Sequence, residues 1–276
     1  MTARTAELAP SARPGMLGVL RSIGSRWDLL YMITWKEIAL KYKQSVMGLL
    51  WAVLMPVAIV SAGVVVRAGM AFLTHKPLAL ADVAAVSVKA VPWAFVVSGI
   101  RFATNSLIAN STLVTKIYMP REIFPLASVM SQLVDFGVAC VPLAILLAIA
   151  GVGASVQLLW VPLLVVVLLV QVAGLGIILS AGSLFFRDVK YLVEVVLTFA
   201  IFFTPVLYDA DLFGRWRTLL LINPVAPLLE GMAAAVVRHQ TPDLPWVGYS
   251  TVVAVLGCVV ALRLFRRLEP YFAESI

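Results

Sequence analysis

Apolar residues gather along this chain in long runs, separated by short polar connections. An α-helix rises about 1.5 Å per residue, so a hydrocarbon layer about 30 Å thick needs about 20 such residues. Runs of that kind predict spans at 49–74, 91–110, 124–150, 158–180, 189–208 and 247–264. The segment ahead of the first span, 27–48, has a different pattern. At about 100° per residue, Tyr31, Trp35, Ile38, Tyr42 and Val46 share one side, while Thr34, Glu37, Lys41, Gln44 and Ser45 form a polar stripe away from it. That pattern predicts a helix lying in the membrane interface, with rings at headgroup level and lysines toward an anionic inner leaflet. Such a helix either anchors the protein or passes movement from a cytoplasmic partner into the first span.

The connection 209–246 is longer than the rest and broken by Pro224, Pro227, Pro242 and Pro245. Its centre, PVAPLLEGMAAAVV, is too short to span and too apolar to stand free in water, which predicts short re-entrant helices dipping in from the outside. The expected fold is therefore all-α: a polytopic membrane protein with six transmembrane helices and an N-terminal amphipathic interface helix. Its parts are a cytoplasmic tail (1–26), the interface helix (27–48), the six-span domain (49–264) and a second cytoplasmic tail (265–276).

Composition removes the alternatives. Apolar residues make up 62% of the 276 and charged residues 13%, against about 45–50% and about 25% in soluble domains. With a mean hydropathy of +1.01, a water-soluble globule and a disordered chain are both excluded. Cys140 and Cys258 lie inside apolar runs, so no disulfide scaffold is expected. The first residues lack a compact apolar run followed by a small-residue cleavage site, so the N-terminus is expected to stay attached.

The net charge of +7 suggests nucleic acid until its distribution is considered. Arg4, Arg13, Arg21, Arg26, Lys36, Lys41, Lys43, Lys116, Arg121, Arg187, Lys190, Arg263, Arg266 and Arg267 fall on one side of the predicted topology. Lys76, Lys89, Arg215, Arg217 and Arg238 fall on the other. The positive-inside bias then places both termini in the cytoplasm.

Four ionisable residues fall within the predicted spans and are functional candidates on that ground. Arg101 and Asp135 both reach near mid-membrane and are expected either to pair or to line a path. Arg67 is near enough to the outer end to snorkel, and Glu194 lies about one turn inside the fifth span. No GxxxxGK[ST] loop occurs, since GVGASV and GLGIIL lack the lysine, so the chain is not expected to hydrolyse ATP itself. His75 and His239 sit in predicted loops without HExxH or CxxC spacing, which leaves metal chemistry and catalytic residues unsupported.

The run KYKQSVMGLLWAVLMP (41–56) resembles a signature of the membrane subunits of type-2 ABC exporters for polysaccharides and polyol phosphates, such as O-antigen, capsule and teichoic acid. VPWAFVVSGI followed by Asn105 and Ser106, LVTKIYMPREIFPLA, FFRDVKYLVEVVL, TPVLY and LINPVAPLLEGM follow in the same order, and the similarity runs from Asp28 to Leu264. The resemblance implies a homodimer in a bacterial cytoplasmic (inner) membrane, joined by two copies of a separate nucleotide-binding ATPase subunit. ATP and Mg would be bound by that partner, with no cofactor in this chain. The substrate implied is a lipid-linked glycan or polyol-phosphate polymer, and nucleic acid is not needed to explain the charge.

On this resemblance Lys116, Tyr118, Met119, Pro120, Arg121 and Glu122 form a coupling loop that meets the ATPase, the alternative being a solvated turn. Arg187 and Asp188 at the next cytoplasmic turn either reach that partner or serve locally, with Asp188 capping the following helix. Tyr31, Trp35, Glu37, Lys41, Tyr42 and Lys43 mark the interface helix. A hydrophilic polymer needs weak grips, and aromatic faces supply them by stacking on sugar C–H faces; Trp51, Trp93, Phe95, Phe199, Phe203 and Tyr208 are the candidates. Competing readings are a drug or lipid exporter of the same fold, a secondary transporter and a membrane-embedded transferase. The last two call for inverted halves or clustered carboxylates, neither of which the sequence displays.

Overall fold

The computed structural model describes residues 27–43, 48, 50–74, 80–116 and 119–272. The two expected tails, apart from residues 265–272, therefore lie outside the described residues, as do Gln44, Ser45, Val46, His75, Lys76 and Tyr118. All elements are helical among the described residues. They are α1 (Trp27–Lys43), α2 (Leu50–Thr74), α3 (Leu80–Ala109), the short α4 (Ser111–Lys116), α5 (Ile123–Ile149), α6 (Trp160–Phe185), α7 (Val189–Phe203), the short α8 (Arg217–Leu221), α9 (Ala226–Val236) and α10 (Leu244–Leu268). Short 3₁₀ segments precede α6 and α8, the second of them (Ala210–Trp216) kinked at Gly214, and another follows α10.

Among the described residues, five stretches are long and apolar enough to cross a membrane: Leu50–Gly69, Leu80–Ala109, Ile123–Ile149, Val156–Phe185 and Leu244–Tyr271. The fifth expected span, 189–208, is not one continuous helix. α7 stops at Phe203, and its 15 residues reach about 22 Å, short of the ~30 Å hydrocarbon core. Pro205 explains the stop. A proline disfavours helical geometry in the residue before it, and Thr204 is extended at φ −114°, ψ 133°.

The second expected span begins too late in the sequence reading. α3 starts at Leu80 rather than near 91 and carries Asp82 and Lys89 within it. Those charges depress the local hydropathy, so the run of apolar residues alone marks only the second half of the helix. Lys89 is accordingly not a loop residue; it is fully buried.

α3 and α6 form the middle of the bundle, and small residues let them meet. A Cβ at Gly176 would lie 2.6 Å from the Ala103 Cβ, and one at Gly174 only 3.0 Å from the Cys258 backbone on α10. Helices in lipid gain little hydrophobic energy from contacting one another, so close backbone approach and dispersion carry the association. α9 is buried along nearly its whole length against this centre, whereas Tyr191, Val195, Phe199 and Phe202 of α7 project outward.

Candidate functional site

A cavity of about 420 Å³ lies between the C-terminal end of α1, the start of α2, and α3, α5 and α7. Trp51, Trp93, Phe95, Phe102 and Phe136 supply aromatic surface, and Lys41, Arg101, Gln132 and Asp135 supply polar groups. Its size falls within the ~300–1,000 Å³ usual for ligand sites.

Arg101 and Asp135 both line this cavity, but they are not each other's partners, which corrects the expected ion pair. The Arg101 Nε donates to both Glu194 carboxylate oxygens, at 2.7 and 2.9 Å. Asp135 accepts from the Lys41 ammonium and the Tyr42 hydroxyl, both on α1. Lys41 also donates to Gln132 Oε1 at 3.1 Å. The cavity therefore holds two cations, each matched by a carboxylate. Counting residues from the span ends placed Arg101 and Asp135 at similar depth, but carried no information on which neighbouring helix each one faced.

α1 is docked by Glu37 and Lys41 of its polar stripe, joined by Lys36 and by Tyr42, which the helical pattern places on the aromatic side. The Ser128 hydroxyl of α5 donates to Glu37 Oε1 at 2.8 Å, and the Lys36 ammonium donates to Asn110 Oδ1 at 3.0 Å. Burial pushes the Glu37 carboxyl above its usual value, against the lowering effects of Ser128 and Lys36. Burial likewise raises the Tyr42 phenol, helped by Asp135. Lys41 thus pairs with protein in a part-buried position, while Lys36 reaches Asn110 and stays exposed. Tyr31 and Trp35 project outward and Lys43 is exposed. The residues assigned to the interface helix consequently split, with Glu37, Lys41 and Tyr42 facing the bundle and the other three facing away.

Of the six aromatic path candidates, the structure brings three to the cavity: Trp51, Trp93 and Phe95. Phe199 and Phe203 lie on the outward side of α7, exposed by 57% and 70%. Tyr208 donates its hydroxyl to the Phe202 carbonyl at 2.7 Å and packs its ring 5.0 Å from that of Phe213. These three are not cavity residues. Phe102 and Phe136, which do line the cavity, were missed in sequence; they directly follow the charged cavity residues Arg101 and Asp135.

The expected coupling loop is fastened from within. Arg121 donates to the Glu269 carbonyl at 2.6 Å and sits over the Phe272 ring, while the nearly buried Glu122 accepts from Arg266 at 3.0 Å. Phe272 also stacks at a tilt on Phe185, 5.7 Å away, next to the turn that bears Arg187 and Asp188. The end of α10 and the residues just after it therefore tie these two turns together. Met119 packs into the same apolar cluster, Pro120 is half-buried, and Lys116, Arg187 and Asp188 are exposed. Asp188 makes no side-chain cap to α7, so the local role expected for it is not seen.

A second polar assembly, missed in sequence, lies at the opposite end. The Lys89 ammonium donates to the Tyr208 carbonyl (2.5 Å), Asp209 Oδ1 (2.8 Å) and Glu230 Oε1 (3.2 Å). Arg67 bridges Asp82 and Asp209 at 2.9 Å each, and Arg238 reaches Glu230. Burial alone would raise the Asp209 carboxyl, but Lys89 and Arg67 outweigh it and hold the group below its usual value. Arg67 is a partner in this network rather than a snorkelling residue. Charges of both signs at the same predicted end of several spans were the available signal.

The family model for the ABC-2 type transporter matches residues 28–237. The chain belongs to the ABC-2 type transporter family. Along nearly its whole length it is similar to O-antigen export system permease proteins RfbA: one from Klebsiella pneumoniae is 26% identical, with 92% of this chain and 97% of the relative covered. One from Myxococcus xanthus is 27% identical, with 95% and 100% covered. In this ABC-2 chain the docked α1 reaches the cavity wall through Lys41 and Tyr42.

Proposed function

We propose that the chain is the membrane-spanning subunit of an ATP-driven exporter that passes a lipid-linked, O-antigen-like polysaccharide outward across the bacterial cytoplasmic membrane. The observation that carries this reading is the full-length similarity to O-antigen export permeases within a family of ABC-2 transporters. It works as a homodimer with two copies of an ATPase subunit, which binds ATP and Mg and performs the hydrolysis. Both termini are cytoplasmic. α7 with residues 204–208 completes a sixth crossing, and α8 and α9 dip in from the outer side.

Within this arrangement the chain's own residues divide the work. Lys116, Arg187 and Asp188 meet the ATPase, while Arg121 and Glu122 hold the loop to α10 so that a push on it moves the bundle. α1 carries motion to the cavity through Lys41 and Tyr42, whose shared partner Asp135 lies in the cavity wall. Trp51 presents a face for sugar rings, with Trp93 and Phe95 buried in the cavity wall, and the paired charges leave no net charge that would hold the polymer fast.

The test is co-purification with the candidate ATPase, followed by ATP hydrolysis with and without lipid-linked glycan from the same organism. Stimulation by the glycan is expected. A stable complex stimulated only by hydrophobic drugs would replace this reading with that of a drug exporter, and no complex with any ATPase would refute it.

A further inference from the structure

A smaller cavity of about 230 Å³ lies apart from the one above, between the turn before α8, α8 itself, α9 and the start of α10. Its polar lining includes Asp211, Arg217, Glu230, Arg238, Gln240 and Asp243, and Trp246 stands in its wall. The charged groups hold one another in place. Arg217 bridges Asp211 at 2.8 Å and Asp243 at 3.0 Å, and Arg238 reaches Glu230 at 3.3 Å. Glu230 is in turn fixed by the buried Lys89.

We propose that this cavity is a binding site for a single neutral saccharide unit. Charge selects the ligand class. A phosphate would meet three carboxylates, and a metal cation would meet two guanidinium groups, so either suffers from half of the lining. A hydroxyl donates one hydrogen and accepts up to two, so it is satisfied by a carboxylate and a guanidinium side by side. An Arg has five N–H donors and an ionised Asp about four lone-pair sites, so the ion pairs that orient these groups leave donors and acceptors over. The Gln240 amide adds both kinds. Trp246, held edge-on to Tyr249 at 5.8 Å, offers an aromatic face for the C–H side of the ring. The volume lies below the ~300 Å³ lower end of ordinary ligand sites, which suits one ring rather than a chain.

The binding itself rests on this lining alone; its use, as a resting place for sugar units leaving the transporter, rests on the function proposed above and on its topology, which puts this end outside. The experiment is saturation-transfer NMR on the purified full-length protein in detergent. The probes are methyl glycosides of glucose, galactose, mannose and rhamnose, with glucose 6-phosphate as the charged comparison. At least one neutral glycoside is expected to bind, with affinity falling about tenfold in Trp246→Ala and in the surface variant Gln240→Ala, as loss of a stacking face or of a hydrogen-bonding pair implies. Tyr191→Ala, on the exposed side of α7 and in neither cavity, is expected to leave it unchanged. No binding by any neutral glycoside, tighter binding of the phosphate ester, or equal affinity in Gln240→Ala, which is exposed and leaves the fold intact, would each overturn the site. Binding that passes these tests in a protein that moves no polysaccharide would keep the site and remove the transport reading.

Discussion

Lys89 has none of its surface exposed, and its ammonium ends among the Tyr208 carbonyl, Asp209 and Glu230. Removing Lys89 leaves the Tyr208 carbonyl without its donor and Asp209 and Glu230 with only Arg67 and Arg238 as cations, and breaking a buried ion pair costs about 3 kcal/mol or more. Lys89→Met is therefore expected to lower the melting temperature of the purified protein markedly, whereas Arg238→Gln, at the exposed rim, is expected to change it little. Equal effects would show that the cluster is not a buried unit. Asp135 belongs to a different kind of site, because it joins α1 to a cavity wall. Asp135→Asn is expected to leave assembly with the ATPase intact but to cut transport-coupled hydrolysis about tenfold, the worth of one charge-assisted hydrogen bond lost. Exchanging the charges (Lys41→Asp with Asp135→Lys) should recover part of that loss, and Arg101→Asp with Asp135→Arg should recover none.

Docking of α1 depends on the charge of Glu37. Burial raises this carboxyl in the docked state above the ordinary value of 4.5, so the docked form holds its proton to higher pH than the undocked form does. Docking is strongest below 4.5 and weakens as the pH rises through the raised value. Glu37→Gln is expected to abolish this dependence, which hydrogen exchange of α1 amides between pH 4 and 7, a range chosen to bracket carboxylate titration, would reveal. The sequence reading found this helix but put Tyr42 on its aromatic side and its lysines toward lipid headgroups, because it contained no information about Ser128, Gln132 and Asp135 on the facing helix. Helix existence was legible wherever apolar runs were long. It was less legible at α3, where Asp82 and Lys89 interrupt the run, and at α7, where Pro205 ends the helix early. Close packing was invisible in the same way, since a glycine in an apolar run does not announce what it touches. Gly174→Val sets side-chain atoms against the Cys258 backbone and should destabilise the bundle by about 1–3 kcal/mol, while Gly257→Val, which meets nothing nearby, should not.

For the whole molecule, the structure joins two ends of different character. At one end the α10 terminus clamps the turns bearing Arg121, Glu122 and Phe185, and at the other a buried charge cluster fastens α2, α3 and the segment that leads to α9. Between them lies a cavity with balanced charge and aromatic walls, braced by α1. In sequence, family resemblance and charge bias pointed to an exporter and to its orientation. Partner choice among Arg101, Asp135, Glu194 and Lys41 required the fold, because residues about 90 positions apart meet there. The central claim is that this chain carries polysaccharide outward, and deletion of its gene in the native host tests it most directly. The account predicts that surface polysaccharide disappears while lipid-linked polymer accumulates on the cytoplasmic side, and that the intact gene reverses both. Unchanged surface polysaccharide, or its loss without any intracellular accumulation, would contradict it.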